Sequence, residues 1–283
     1  MRHLAFACLA FGASVADGRT TVVVSGATGQ SGNLFYKRLK AENVSNVRAF
    51  VRNVTKAKDL LECDACDEAE GIFVGDVKDP RTLKAAMKGA DVLAIFTSSA
   101  PRCGPLGPLG NCSYPPGAEP RAIDFLGTKN QLSAFASAGG SLKAKRVIYM
   151  STMGTTRPDN FLDKLGNGQV SFYHLQAEVS IMSSGIPFTI AKACGLGSGS
   201  GGKRKLSVGH DDATFSFTHT VNRDDVARVL VEAVRHPDAA SGLRFDICSD
   251  WFGSPTTDIV KDVFGAAKYP WDIVGRFPDG LVV

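Results

Sequence analysis

The chain has 283 residues, 44% hydrophobic and 21% charged, enough for one large α/β domain with a small appendage. Its formal net charge of +4 is too mild to imply nucleic-acid partners, and the basic clusters Lys143 to Arg146 and Lys203 to Lys205 are short enough to read as solvated loops. Beyond the N-terminus no stretch approaches ~18 consecutive apolar residues, so no stable membrane span is expected.

In chain order, residues 1–18 stand apart from the fold. Arg2, the apolar run Leu4 to Phe11 and small residues at Ala13, Ser14 and Ala16 make a short secretory-type signal with a cut after Ala16, or else an extension that stays attached. Thr21-Val22-Val23-Val24 is an unbroken β-branched run, the pattern of a strand buried on both faces of a parallel sheet. Gly26, Gly29 and Gly32 follow in G-x-x-G-x-x-G spacing and open a helix that runs to about Glu42. Such a turn lets backbone approach a diphosphate, while free N–H groups at the helix start bind the anion. Val47 to Val51 is the second strand, and Arg52 ends it with Lys56 one turn on. An acidic residue at that place holds the ribose hydroxyls, whereas a basic one accommodates a 2'-phosphate, so NADP(H) is expected in preference to NAD(H).

A helix from Thr55 to Glu62 leads to a third strand, Gly71 to Asp76. Asp76 and the Val77 backbone either meet the adenine edge or, for Asp76, cap the next helix, Arg81 to Lys88. Asp91 to Thr97 is a fourth strand, and the alternation predicts a Rossmann-type, doubly wound parallel sheet with helices on both faces. Ser98 to Pro120 is rich in Gly and Pro, a length without regular structure that suits a lid over the ligand edge. A helix over Arg121 to Ala138, with Ile123, Leu126, Leu132 and Phe135 inward, precedes a fifth strand from Arg146 to Ser151. Leu162 to Gly168 reads as a loop, Ser171 to Ser184 as a helix and Pro187 to Lys192 as a sixth strand.

Gly195 to Gly202 is then a flexible stretch, and residues 206–221 look like a short β pair. In the following helix Val226, Val229, Leu230, Ala233 and Val234 keep the i, i+3, i+4, i+7, i+8 spacing of an apolar stripe. Leu243 to Cys248 is a last strand and Thr256 to Phe264 a last helix. The organisation expected is therefore residues 1–18 as a targeting segment, 19–266 as the dinucleotide-binding domain with a small C-terminal substrate-side region, and 267–283 as a surface tail. Cys63 with Cys66 and Cys103 with Cys112 are two locally spaced pairs, disulfides in an oxidising compartment and thiols in a reducing one. A zinc site shared by the two pairs is disfavoured, because they fall at opposite sheet edges. The histidines lack metal-ligand spacing, and no metal is expected.

Gly26-Ala27-Thr28-Gly29-Gln30-Ser31-Gly32, Arg52, Gly75-Asp76-Val77, Phe96-Thr97-Ser98, Ser151-Thr152-Met153-Gly154 and the loop Leu162 to Gly168 together resemble the atypical short-chain dehydrogenase/reductases of the NmrA-like group, including plant chloroplast-type NAD(P)-binding proteins. The resemblance covers residues 20–265. It implies that Gly26, Thr28, Gly29, Gln30, Ser31 and Gly32 hold the diphosphate, Arg52 the 2'-phosphate, Asp76 and Val77 the adenine, and Thr97 and Ser98 the ribose side.

Reductases of that superfamily pair a tyrosine acid with a lysine four residues later on the helix after the fifth strand. Here those places hold Phe172 and Gln176, and registering on Tyr173 instead puts Ala177 in the lysine position. The only literal Y-x-x-x-K, Tyr36 to Lys40, lies on the first helix, facing away from the nicotinamide. Ser151, Tyr173 and His174 remain as catalytic candidates, although a packing aromatic and a surface histidine are the commoner reading of Tyr173 and His174. Lys192 is expected to fix the loop after the sixth strand. An NADP-dependent oxidoreductase acting on a small carbonyl or conjugated substrate, a non-catalytic NADP(H)-binding redox sensor or assembly protein, and an extracellular binding module all stay open. Entry to the secretory pathway follows from the N-terminus, and a plastid location from the resemblance.

Overall fold

The computed structural model describes residues 19–43, 45–107, 111–213 and 219–269. The segment 1–18 and most of the tail beyond residue 266 lie outside the described residues. An eight-stranded sheet organises the rest. It contains β1 (Thr21–Ser25), β2 (Asn46–Val51), β3 (Ile72–Val74), β4 (Val92–Ile95), β7 (Arg146–Thr152), β8 (Phe188–Ala193), β10 (Lys205–Gly209) and β12 (Leu243–Asp250). The order across it is β10-β12-β8-β7-β4-β1-β2-β3, and only the β10–β12 pair is antiparallel. The doubly wound sheet expected from the sequence is therefore present, closed at one edge by an antiparallel strand.

β1 lies between β2 and β4, with Val22 opposite both Val47 and Val92. Its side chains alternate between two cores, as strand geometry demands. Val22 and Val24 pack with Phe35 and Leu39 of α1 (Gln30–Ala41) and with Val226, Val229 and Leu230 of α7 (Arg223–Arg235). Val23 points the other way, towards Leu132 and Phe135 of α4 (Gly127–Ala136) and Ile181 of α6 (Val170–Met182). All five stripe residues of α7 are buried, so helical spacing translated directly into the buried face.

Five departures bear on the site. Among the described residues of 206–221 the expected local pair is not formed: β10 joins the main sheet through β12, and β11 (Thr220–Asn222) pairs in parallel with β9 (Gly195–Gly197). The stretch after Ser98 contains a two-stranded hairpin, β5 (Arg102–Cys103) with β6 (Cys112–Ser113), closed by a Cys103–Cys112 disulfide. The loop 162–168 is partly helical, α5 (Phe161–Lys164) with a 3-10 turn after it. The helix after the lid begins with a π-helical turn over Arg121–Leu126, and there Asp124, not Leu126, is fully buried. The last helix is a short π-helix, Val260–Phe264, beginning later than Thr256.

Candidate functional site

The glycine turn is built so that only glycine fits. Gly26 has φ +79°, and a Cβ there would lie 2.7 Å from the Phe96 carbonyl carbon; one on Gly32 would lie 2.3 Å from Gly26 O. Backbone therefore packs on backbone where β1 meets β4 and α1. Gly29 caps α1 without a side-chain hydrogen bond, and its first turn holds no acidic residue. The amides around Thr28, Gln30 and Ser31 are thus placed for an anion at the positive end of a helix.

Arg52 directly follows β2 and is exposed, and Asn53 beside it caps α2 (Val54–Leu61) by accepting from Lys56 N at 2.9 Å. Asp76 does not cap the following helix. It accepts from Lys78 N at 2.9 Å, and the cap on Pro80–Leu83 is Asp79. The Val77 side chain is in the core and its carbonyl accepts from Asn130 at 2.9 Å. Thr97 Oγ1 receives Ser25 Oγ and Gln131 Nε2, each at 3.2 Å, so it braces β1 and β4 from below, while Ser98 is exposed. These residues line the carboxyl ends of β1 to β4, where ligands of open α/β sheets bind.

On the other half of the edge, α6 turns Phe172 outward at 46% exposure and Tyr173 into a stack on Phe125. Its inward face carries His174 and Glu178. The Tyr149 hydroxyl lies 2.6 Å from His174 Nδ1, and His174 Nε2 lies 3.5 Å from Asp124 Oδ1. Asp124 in turn accepts the Ser99 hydroxyl at 2.5 Å and the Ser99 N–H at 3.1 Å. A continuous polar chain therefore runs from the sheet interior to the rim of the lid. Burial, then the charges of Asp124 and Glu178, raise the Tyr149 pKa well above the ordinary tyrosine value.

Ser151 is buried and donates to Glu178 at 2.5 Å; Arg244 balances that carboxylate at 2.8 Å and reaches Asp211 at 2.9 Å. His174 is accordingly an interior residue, not a surface one. Tyr36 is a core residue of α1, so the Tyr36 to Lys40 spacing has no site behind it.

Lys192 is wholly buried, 2.6 Å from Asp212 and 3.1 Å from Asp246. Asp212 also takes the Gly154 and Thr156 N–H groups, each at 2.8 Å. Lys192 thus fixes the turn after β7, not the loop after β8, by holding the carboxylate that holds that turn. Burial alone would raise the Asp212 pKa; the bonds from Lys192, Thr156 and Gly154 outweigh it and leave it lowered. Asp246, with burial dominant, is raised.

The segment 98–120, expected to be a lid, is anchored on both sides. Lys78 Nζ donates to Gly117 O at 2.9 Å, and a Cβ on Gly166 would lie 3.0 Å from Cys112 O. Between the turn after β7 and the start of α6 an open cavity of about 530 Å³ is lined by Thr155, Thr156, Asp159, Asp163, Gln169 and Phe172, within the size range of small-molecule sites. A larger cavity, about 770 Å³, lies among the charged side chains between α1 and α7, in the helix layer opposite α6.

Both locally spaced cysteine pairs are disulfides, Cys63–Cys66 and Cys103–Cys112, and a third joins Cys194 to Cys248. Sequence reasoning missed that pair because its members are 54 residues apart; only the parallel pairing of β8 with β12 brings them together. Asp124, Tyr149 and Glu178 were missed for the same reason.

The family model described as NAD(P)H-binding matches residues 26–237. The chain is 32% identical over 279 residues to the sanguinarine reductase of Eschscholzia californica, covering 89% of this chain and 98% of that one. It is 33% identical over 246 residues to an uncharacterised chloroplastic protein of Arabidopsis thaliana, covering 84% of this chain and 73% of the relative. Among solved structures, the anaerobillin reductase ChuY of Escherichia coli O157:H7 superposes with a TM-score of 0.59 at 19% identity, over 83% of this chain and 99% of that one.

Proposed function

The chain belongs to the NAD(P)H-binding family of atypical short-chain dehydrogenase/reductases, and within it we propose that it is an NADPH-dependent reductase of a small carbonyl or conjugated substrate. The observation that carries this is the cradle a Cβ would fill at Gly26 and Gly32, with exposed Arg52 and no acidic residue ending β2. The residues present fit a dinucleotide. Gly26, Thr28, Gly29, Gln30, Ser31 and Gly32 would take the diphosphate, Arg52 the 2'-phosphate, Asp76 and Val77 the adenine, and Thr97 and Ser98 the ribose side. When bound, the cofactor supplies hydride chemistry at the nicotinamide. The cavity beside α6 is the place for the substrate, whose identity the relatives' names suggest only as a small organic molecule.

A second reading, a non-catalytic NADP(H)-binding redox sensor or assembly protein, is favoured by one specific feature, Phe172 and Gln176 where the acid/base pair belongs. Two measurements test these readings, the first their shared preference for NADP(H) and the second the point on which they differ. Calorimetry should show NADPH binding at least about 10-fold tighter than NADH, a difference of about 1.4 kcal/mol, with Arg52→Ala abolishing it. NADH binding tighter than NADPH would sink the role of Arg52. Steady NADPH consumption with aldehydes and quinones supports the reductase, and none despite tight binding supports the sensor.

The chloroplastic description of the Arabidopsis relative supports a plastid location. The signal-like residues 1–18 support the secretory pathway instead, and imaging a fluorescent protein fused behind them distinguishes the two.

A further inference from the structure

α6 presents neither a tyrosine nor a lysine in the expected places, but the lid delivers a tyrosine to the start of that helix. Tyr114 follows β6, and its hydroxyl oxygen is shielded from solvent with no hydrogen-bond partner among the described residues. A buried hydroxyl in that state carries an uncompensated desolvation cost, which calls for an explanation such as a group that binds there.

The seat of the ring is built into the loop below. A Cβ on Gly168 would lie 2.3 Å from Tyr114 Cε2 and 3.0 Å from the hydroxyl, so any side chain there would evict the ring. Gly166, at φ +56°, lets Cys112 and Ser113 lie directly against its backbone. The Cys103–Cys112 disulfide and the Arg102–Ser113 pairing hold the hairpin that presents the tyrosine. Gly168 stands between Asn167 and Gln169, which both line the cavity, and just before α6 begins at Val170, so the phenol sits behind the cavity wall at the end of the helix that carries Phe172. Burial, then the nearby Asp124 carboxylate, push the Tyr114 pKa up to about 12. The phenol therefore keeps its proton at neutral pH, and the alkoxide formed when a carbonyl is reduced is the stronger base.

We propose that Tyr114 is the catalytic acid of the site, standing in from the lid for the tyrosine absent at Phe172. The proposal rests on the reductase reading above. In the step it assigns, the carbonyl carbon would accept a hydride, with its two electrons, from a bound dihydronicotinamide that would thereby be oxidised, and the C=O π pair would move onto oxygen. That oxygen takes the Tyr114 hydroxyl proton, the phenol O–H bond breaking as the new O–H bond forms. Solvent returns a proton to the phenolate when the lid opens. Asp124 and Ser99 are positioning residues in this scheme: together they fix the lid's first turn beside the phenol.

The test is Tyr114→Phe in the full-length protein, with NADPH and three probes, benzaldehyde, cyclohexanone and 1,4-naphthoquinone. The expected result is a kcat lower by about 100-fold or more, the usual range for loss of a general acid, with NADPH affinity by calorimetry unchanged. The melting temperature should stay level or rise, because only an unpartnered hydroxyl is removed. Gly168→Ala, which displaces the ring, should lower kcat in the same direction. Turnover of Tyr114→Phe within about threefold of wild type overturns the role, as does a rise in KM at constant kcat, the signature of uniform binding. Wild-type protein that binds NADPH but reduces none of the probes overturns the reductase reading itself, and this role with it. The two failures are therefore distinguishable by whether the wild type turns over.

Discussion

Gly26 and Gly32 at one end of the cleft, and Gly166 and Gly168 at the other, solve the same packing problem with different neighbours. Each leaves out a Cβ so that something else can approach. At the first end the neighbours are Gly26 itself and the backbone of Phe96 and Thr97, just past the end of β4; at the second they are Cys112 to Tyr114, on the hairpin that follows Ser98. The glycine-turn end is therefore a strand-turn-helix unit braced by backbone just past one neighbouring strand. The opposite end is assembled from the lid, the turn after β7, α6 and β12, and its chemistry depends on how those pieces are held.

That contrast can be broken first where the long-range end is most heavily committed. Lys192→Met leaves Asp212 and Asp246 buried without their cation, which should cost about 3–5 kcal/mol of stability. A urea midpoint close to wild type would show that the triad does not hold this end together. Next in size, Gly32→Ala should weaken NADPH binding by about 100-fold, about 2.8 kcal/mol, as read by calorimetry. Retained affinity would mean the backbone yields, and the local unit is less rigid than its contacts imply.

The smallest effect is a pH dependence. Tyr149 has a folded pKa raised above 10.0, by burial first and then by Asp124 and Glu178. A raised folded value contributes stability that is present below the unfolded pKa and lost as pH rises beyond it. Stability should thus fall as pH passes about 10, and Tyr149→Phe should flatten that fall. An unchanged slope in the variant would remove Tyr149 from the account.

The same division governs what was legible in the sequence. The β-branched run of β1, the glycine spacing and Arg52 are local signals, and the parallel sheet, its order of strands and helices and the stripe of α7 followed from signals of that kind. His174 was visible as a candidate, but not its burial or its partners, because Tyr149 and Asp124 reach it from other elements. The β10 strand was mistaken for part of a local pair because its partner, β12, begins more than thirty residues further on. Lys192 was expected to act on its own loop; its partners come from Asp212 and from β12, which no local pattern could name.

The double anchoring of the lid has a kinetic consequence. With Lys78 gripping Gly117 over the adenosine side and Tyr114 seated on Gly168 at the other, the segment crosses the cleft as a closed bridge, not a hinged flap. On the reductase reading a dinucleotide would enter and leave only when an abutment lifts, while a small substrate would use the side opening near Phe172 and Gln169. On that reading ordered binding is expected, cofactor before substrate, and product-inhibition kinetics showing random order would break it.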